Sequence, residues 1–225
     1  MTGAGRHEHR GPAGRPMTEE PGRRLFIAVP LSSDACADIA RLVEVVRDRE
    51  DAAAALAAVA PANGRRAPWQ VRWVRLDGLH LTLRFLGPTA DPRVDMLKAV
   101  VDDVADAAPF EVRIGEAGAF PDHRHPRTLW LRVLDGTPEL ERLAGLLGDR
   151  LSAAGWPRDD RPFRAHLTLA RADGIRSGPR VVEDLVAAAS DFETRFEADR
   201  IVLFESHTGG GPARYEALHE APLRG

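Results

Sequence analysis

Apolar and polar positions alternate strictly in two short stretches, His80-Leu81-Thr82-Leu83 and His166-Leu167-Thr168-Leu169, and the four residues are the same in both. Side chains of an extended strand point alternately to its two faces, so each His shares a face with its Thr while the leucines turn into a core. Around these stretches the pattern predicts further elements. Residues 24–31 are a short apolar run rich in strand formers, closed by Pro30. Ser33 or Asp34 then caps a helix whose apolar positions Ile39, Leu42, Val43 and Val46 follow a helical period, and the alanine-rich stretch 51–59 extends it. Pro61, Asn63, Gly64 and Pro68 break that pattern into a loop. Residues 71–75 and 79–86 read as two strands joined by the Asp77-Gly78 turn, with Gly87, Pro88 and Pro92 ending the second. A helix over 94–108, a strand at 110–114 and a loop over 118–127 complete the first half.

The second half repeats the order. A strand at 128–134 leads to a helix at 138–154, then to a strand at 162–171 that carries the second tetrapeptide. A short helix near 181–189 precedes a long strand at 196–205, and the glycine turn at 209–211 leads to a closing strand near 213–218. Strand, helix, His-Leu-Thr-Leu strand, helix, strand therefore occurs twice, which predicts an internal duplication. The expected fold is α+β and bilobal: two mainly antiparallel sheets around a central cleft, with helices on the outer faces. The lobes are expected from roughly 23–115 and 128–225 of a single domain covering 23–225. Residues 1–22, rich in Gly, Pro, Arg, His and Glu, have no hydrophobic period and are expected to be a disordered tail. Met17 lies within it, so residues 1–16 are expected to be dispensable or not made at all.

Composition narrows the chemistry. A formal net charge of −3 argues against a protein that grips long nucleic acid by charge alone, and 6% aromatic residues argue against wide base-stacking platforms. The single cysteine, Cys36, forms no internal disulfide and no multi-cysteine metal site, and its place on an amphipathic helix suits a buried thiol. No stretch approaches the roughly 20 apolar residues of a membrane span, and no apolar segment follows the basic N-terminus as in a secretory signal. A cytoplasmic monomer is expected.

Two strands of this kind brought together present two imidazoles and two hydroxyls to one cleft. Histidine changes charge near neutral pH, so a neutral imidazole takes a proton from a nucleophile while a protonated one gives a proton to the leaving oxygen. Hydroxyls from Thr82 and Thr168 then face the non-bridging oxygens, where negative charge grows. The pairing suits in-line attack of water on a strained cyclic phosphodiester and needs no metal or cofactor.

On these residues the chain resembles the 2H phosphoesterase superfamily, and within it the RNA 2′,3′-cyclic phosphodiesterases, also called 2′–5′ RNA ligases. The likeness is carried by the two tetrapeptides and by RLFIAVPL at 24–31, VRWV at 71–74, LHLTLRFLG at 79–87 and GAFP at 118–121. It continues with LW at 129–130, RPFRAHLTLAR at 161–171 and VLFES at 202–206. The family usually has Pro before the second His, where this chain has Ala165. The resemblance implies opening of a terminal 2′,3′-cyclic phosphate to a 2′-phosphomonoester, with 2′–5′ RNA ligation as a related activity. It implies His80 as proton donor, His166 as proton acceptor, and Thr82 and Thr168 as phosphate-binding residues. RNA ends or small nucleotides bearing such a phosphate are the implied partners.

Other residues are weaker candidates. Arg84, two positions beyond Thr82, is expected on the cleft face, whereas Arg171, five beyond His166, faces away unless a bulge intervenes. Arg124 and Arg127 are candidates for steering an RNA end, and Phe120 for stacking on a base, while Trp130 suits a core. His123 and His125, with Asp122, have metal-ligand spacing without a complete ligand set, and His7 and His9 share that spacing. Glu205 and Ser206 are expected at the cleft edge. The rival readings are a non-catalytic RNA-end binding module, a phosphodiesterase for small cyclic nucleotides or the cyclic phosphate of ADP-ribose, and a metallophosphoesterase using His123 and His125.

Overall fold

The computed structural model describes residues 22–59, 71–172, 178–209 and 211–225. The expected tail, its Met17 start and its two histidines fall outside the described residues, Gly22 excepted, and so does the expected loop at 61–68.

Strand β1 (Arg23–Pro30) leads into helix α1 (Ser33–Val59), which runs through the alanine-rich stretch as its composition predicts. The short strand β2 (Arg72–Trp73) and a 3₁₀ turn at Leu76–Gly78 precede β3 (His80–Thr89), which carries the first tetrapeptide. Then come α2 (Val94–Val104), β4 (Phe110–Phe120), β5 (Thr128–Asp135) and α3 (Thr137–Ala153). Strand β6 (His166–Arg171) carries the second tetrapeptide, followed by α4 (Gly178–Ala188), β7 (Glu193–Ala198), β8 (Arg200–Gly209) and β9 (Gly211–Pro222).

Two antiparallel sheets result, in the orders β3-β1-β8-β9 and β2-β6-β5-β4-β7, giving the α+β fold expected. Helix α3 packs on β3, α4 on β4 and on α1, and α2 on α3, β8 and β9. On α3, Leu140, Leu143, Leu147 and Leu151 are wholly buried at helical spacing. Each buried leucine contributes about 1.5–3 kcal/mol of hydrophobic free energy. Leu25, Ile27 and Val29 of β1 join the same core, as do Leu81 and Leu83 of β3 and Leu167 and Leu169 of β6. The opposite faces of β3 and β6, where each His and Thr lie, are left to the space between the sheets.

Several expectations are corrected. The two strands flanking Asp77-Gly78 do not form a hairpin, because β2 pairs with β6 and β3 pairs with β1 in the other sheet. The Val74 N–H donates to the Leu169 carbonyl at 2.9 Å and the Leu31 N–H to the Leu79 carbonyl at 3.1 Å, so the two arms are held by different partners. The long strand expected at 196–205 is two strands, divided at Asp199, that enter different sheets; the Leu223 N–H secures the crossing through the Asp199 carbonyl at 2.7 Å. Strand β3 continues through Pro88 because it is an edge strand, where a missing N–H costs no ladder bond. Strand β4 reaches Phe120, which shortens the expected loop to 121–127. Gly118 is strand rather than loop because the Trp130 ring lies against it: an added Cβ would stand 2.5 Å from Trp130 Cζ2.

The sheets also differ from the lobe boundaries expected at 23–115 and 128–225. Strand β4, from the first half, lies between β5 and β7, while β8 and β9, from the second half, complete the sheet begun by β1 and β3. Each half thus completes its sheet with strands from the other.

Candidate active site

The motif strands share a local irregularity. Along β3, Thr82 pairs with Ala28 and Arg84 with Ile27, so Leu83 is an extra residue; along β6, Thr168 pairs with Trp130 and Ala170 with Leu129, so Leu169 is extra. A bulge moves every later side chain to the other face. The residue two beyond each Thr, Arg84 or Ala170, is therefore buried on the helix side, and the residue three beyond, Phe85 or Arg171, lines the cleft.

His80, Thr82, His166 and Thr168 border one cavity of about 1180 Å³ between the sheets. Phe85, Tyr215, Arg171 and Ser206 share its wall, as do Arg24, Arg47, Arg72 and Trp73. Among the described residues no carboxylate lines it, so the site favours an anion.

The two imidazoles are held alike. His80 Nδ1 donates to the Gly78 carbonyl at 2.8 Å and His166 Nδ1 to the Arg164 carbonyl at 2.7 Å, each two residues upstream. When neutral, both rings then keep Nε2 as a lone-pair acceptor. His80 is enclosed by rings, with centroids of Phe26 at 4.7 Å, Tyr215 at 4.9 Å edge-on and Phe204 at 5.9 Å. Burial pushes its pKa below the ordinary value of 6.5, and the bond to Gly78 only partly opposes that. His166 meets Phe120 edge-on at 5.2 Å, and its pKa is lowered too, first by burial and then by the Arg171 charge. The Tyr215 phenol is pushed above its usual range by burial.

The weaker candidates separate. Arg84 is not in the cleft: its guanidinium is buried against the loop after α3, paired with Asp159 and donating to the Pro157 carbonyl. The bulge at Leu83 is the cause. Arg171, which alternation alone turns away, is in the cleft and donates to Thr128 Oγ1. Arg124 and Arg127 are exposed on the 121–127 loop and do not line the cavity. Phe120 meets His166 edge-on and packs tilted against Trp130, ring centroids 4.9 Å apart, without lining the cavity. Asp122 Oδ1 accepts the backbone N–H groups of Arg124 and His125, each at 2.8 Å, which closes a local turn. Ser206 reaches the cavity, while Glu205 pairs with Arg23 at 2.8 Å. Phe26, Phe85, Arg171 and Tyr215 were not among the sequence candidates or were placed outside the cleft. Equal bulges at the last residue of each tetrapeptide, visible only in the strand pairing, link Phe85 with Arg171.

Paired His-x-Thr strands facing a cleft between two antiparallel sheets are the layout of the 2H phosphoesterase class. Among solved structures, TT0787 of Thermus thermophilus is similar, with TM-score 0.64 and 27% identity over 90% of this chain and 98% of that one. Escherichia coli LigT complexed with 3′-AMP shares the fold, with TM-score 0.62 and 22% identity over 89% of this chain and 98% of that one. The profile of the 2′-5′ RNA ligase superfamily matches residues 50–210, and the chain belongs to that family. Its relatives include the RNA 2′,3′-cyclic phosphodiesterase of Geobacillus stearothermophilus, 31% identical over 89% of this chain. That of Aeropyrum pernix is 31% identical over 67% of this chain and 85% of its own length. The match spans 57% of the Geobacillus protein and 61% of a further relative from Archaeoglobus fulgidus. No described helix is long and apolar enough to cross a membrane.

Proposed function

We propose that the protein is an RNA 2′,3′-cyclic phosphodiesterase that opens a terminal cyclic phosphate to a 2′-phosphomonoester by two-histidine acid–base catalysis. One observation carries the reading: both His-x-Thr pairs border a single cavity that no carboxylate lines among the described residues, and each imidazole commits Nδ1 to a backbone carbonyl. His166 Nε2 takes a proton from water as its oxygen bonds to phosphorus. The bond from phosphorus to O3′ breaks, and His80 Nε2 gives O3′ its proton. The donor and acceptor roles follow the family resemblance. Thr82, Thr168 and Arg171 meet the non-bridging oxygens, and hydrogen bonds to that growing charge lower the barrier.

Burial supplies a reason for substrate-linked protonation. A half-buried imidazole with no carboxylate beside it among the described residues is biased toward its neutral form in the empty site. A bound phosphodiester anion supplies the missing counter-charge and raises the pKa of the donor when the acid is needed. Ligation fits the same geometry with a ribose hydroxyl in place of water.

The test is turnover of an oligonucleotide ending in a 2′,3′-cyclic phosphate, in EDTA, for the wild type and for His80→Ala and His166→Ala. Activity persisting in EDTA and falling by about 10³-fold or more in each variant is expected. Loss in EDTA with activity retained in the variants overturns the proposal.

A further inference from the structure

Arg72 and Arg171 stand directly opposite one another where β2 pairs with β6, and both line the main cavity. Like charges at opposed positions, with Cβ atoms about 4.5–5.5 Å apart, destabilise a strand pair. A neutral partner at position 72 would serve the sheet better, so this juxtaposition calls for an anion. Arg47, on α1, lines the cavity too: its guanidinium carbon lies 5.5 Å from the centre of the Trp73 ring, a cation–π contact that holds the charge beside β2. Arg47 and Trp73 also border a smaller adjoining cavity of about 220 Å³ walled by Glu50, Asp51 and Val71. Three guanidiniums thus lead from Thr168 across the edge strand, and carboxylates enter the wall at Glu50 and Asp51, beside Arg47.

The main cavity, at about 1180 Å³, exceeds the roughly 300–1,000 Å³ that holds a drug-sized ligand. It has room for more than the terminal nucleotide. A cyclic phosphate closes the 3′ end of a strand, so any further nucleotide must lie on its 5′ side, joined through one phosphodiester. With Arg171 at the reacting phosphorus, Arg72 and Arg47 remain on the β6 side of the cavity for that second anion, whereas Arg24 belongs to β1 in the other sheet.

We propose that Arg72 and Arg47 form a subsite for the phosphodiester linking the terminal nucleotide to its 5′ neighbour, making an RNA end, rather than a free cyclic mononucleotide, the preferred substrate. This rests on the cyclic-phosphodiesterase reading and adds substrate length to it. Trp73 positions Arg47 and does not itself touch phosphate. Burial raises the Glu50 carboxyl toward its neutral form, which weakens its opposition to an incoming phosphate.

The experiment compares a 2′,3′-cyclic mononucleotide with a dinucleotide ending in a 2′,3′-cyclic phosphate, which adds a single phosphodiester. Wild-type kcat/KM is expected to be about tenfold or more higher for the dinucleotide, the value of one charge-assisted contact. Arg47→Ala and Arg72→Ala should each erase most of that advantage, acting on the dinucleotide's KM while mononucleotide turnover stays within about threefold. Their dinucleotide rates should also depend less steeply on salt, by about 0.7 in the log–log slope per lost phosphate contact. Equal rates for the two substrates in the wild type, or equal losses on both in the variants, overturn the subsite. Binding of a fluorescent dinucleotide carrying a plain 2′-phosphate end is measured beside it. If the wild type turns over neither cyclic substrate yet the variants weaken this binding, the subsite stands and the catalytic reading fails; unchanged binding removes both.

Discussion

At Arg84 the guanidinium is buried on the helix side of the first sheet, 7% exposed and paired with Asp159. Arg84→Ala removes that packing and leaves Asp159 and the Pro157 carbonyl without their donor, so it is expected to lower stability by about 1–3 kcal/mol in urea unfolding, with little change in kcat. Arg171 faces the cavity, bonded to Thr128. Arg171→Ala is expected to do the reverse: kcat falls by about 10²-fold while the unfolding midpoint hardly moves. Finding both effects in one variant would count against placing the two arginines on opposite faces. Phe85 is 65% exposed and lines the cavity. Phe85→Ala should leave stability within about 0.5 kcal/mol of wild type and raise KM if a base rests on the ring.

Elements set these orientations. Alternation places His and Thr on one face correctly as far as Thr82 and Thr168, and fails at Leu83 and Leu169, where each strand takes an extra residue. Nothing within the tetrapeptide signals the bulge. It depends on the pairing of β3 with β1 and of β6 with β5, partners far away in sequence. Gly118 shows the same dependence: read locally it is a loop residue, yet it is a strand residue that makes room for Trp130. Gly118→Ala is expected to destabilise by about 1–3 kcal/mol through overpacking. Because Trp130 packs against Phe120 and Phe120 abuts His166, it should also lower kcat. A variant as stable and active as wild type would show that the wall behind His166 is loose.

Over the whole molecule, the two half-buried imidazoles make both stability and rate depend on pH. Their folded pKa values lie below 6.5, the ordinary value. The unfolded chain therefore binds more protons as pH falls below about 6.5, and the stabilisation from neutral histidines, complete above that pH, is lost through the lowered folded values. Urea midpoints should fall across that window, and His80→Phe should flatten the fall. For the reaction, kcat/KM should be bell-shaped with its centre below pH 6.5, since the transition state needs one proton on the pair and this parameter reports the lowered ionisations of the free enzyme. A rate still rising through pH 9 would exclude the pair.

The sequence by itself determined the α+β class, most helices and strands, and the two His-x-Thr pairs that border one cavity. Those features follow from periodicity and a repeated tetrapeptide, which are written locally. The tertiary structure decided which strands share a sheet, where the two bulges fall, and hence that Arg171 and Phe85 face the cavity while Arg84 does not. Strand pairing joins residues such as Ile27 and Arg84, or Arg72 and Arg171, that are remote along the chain. A single added residue in a pairing reverses every face beyond it.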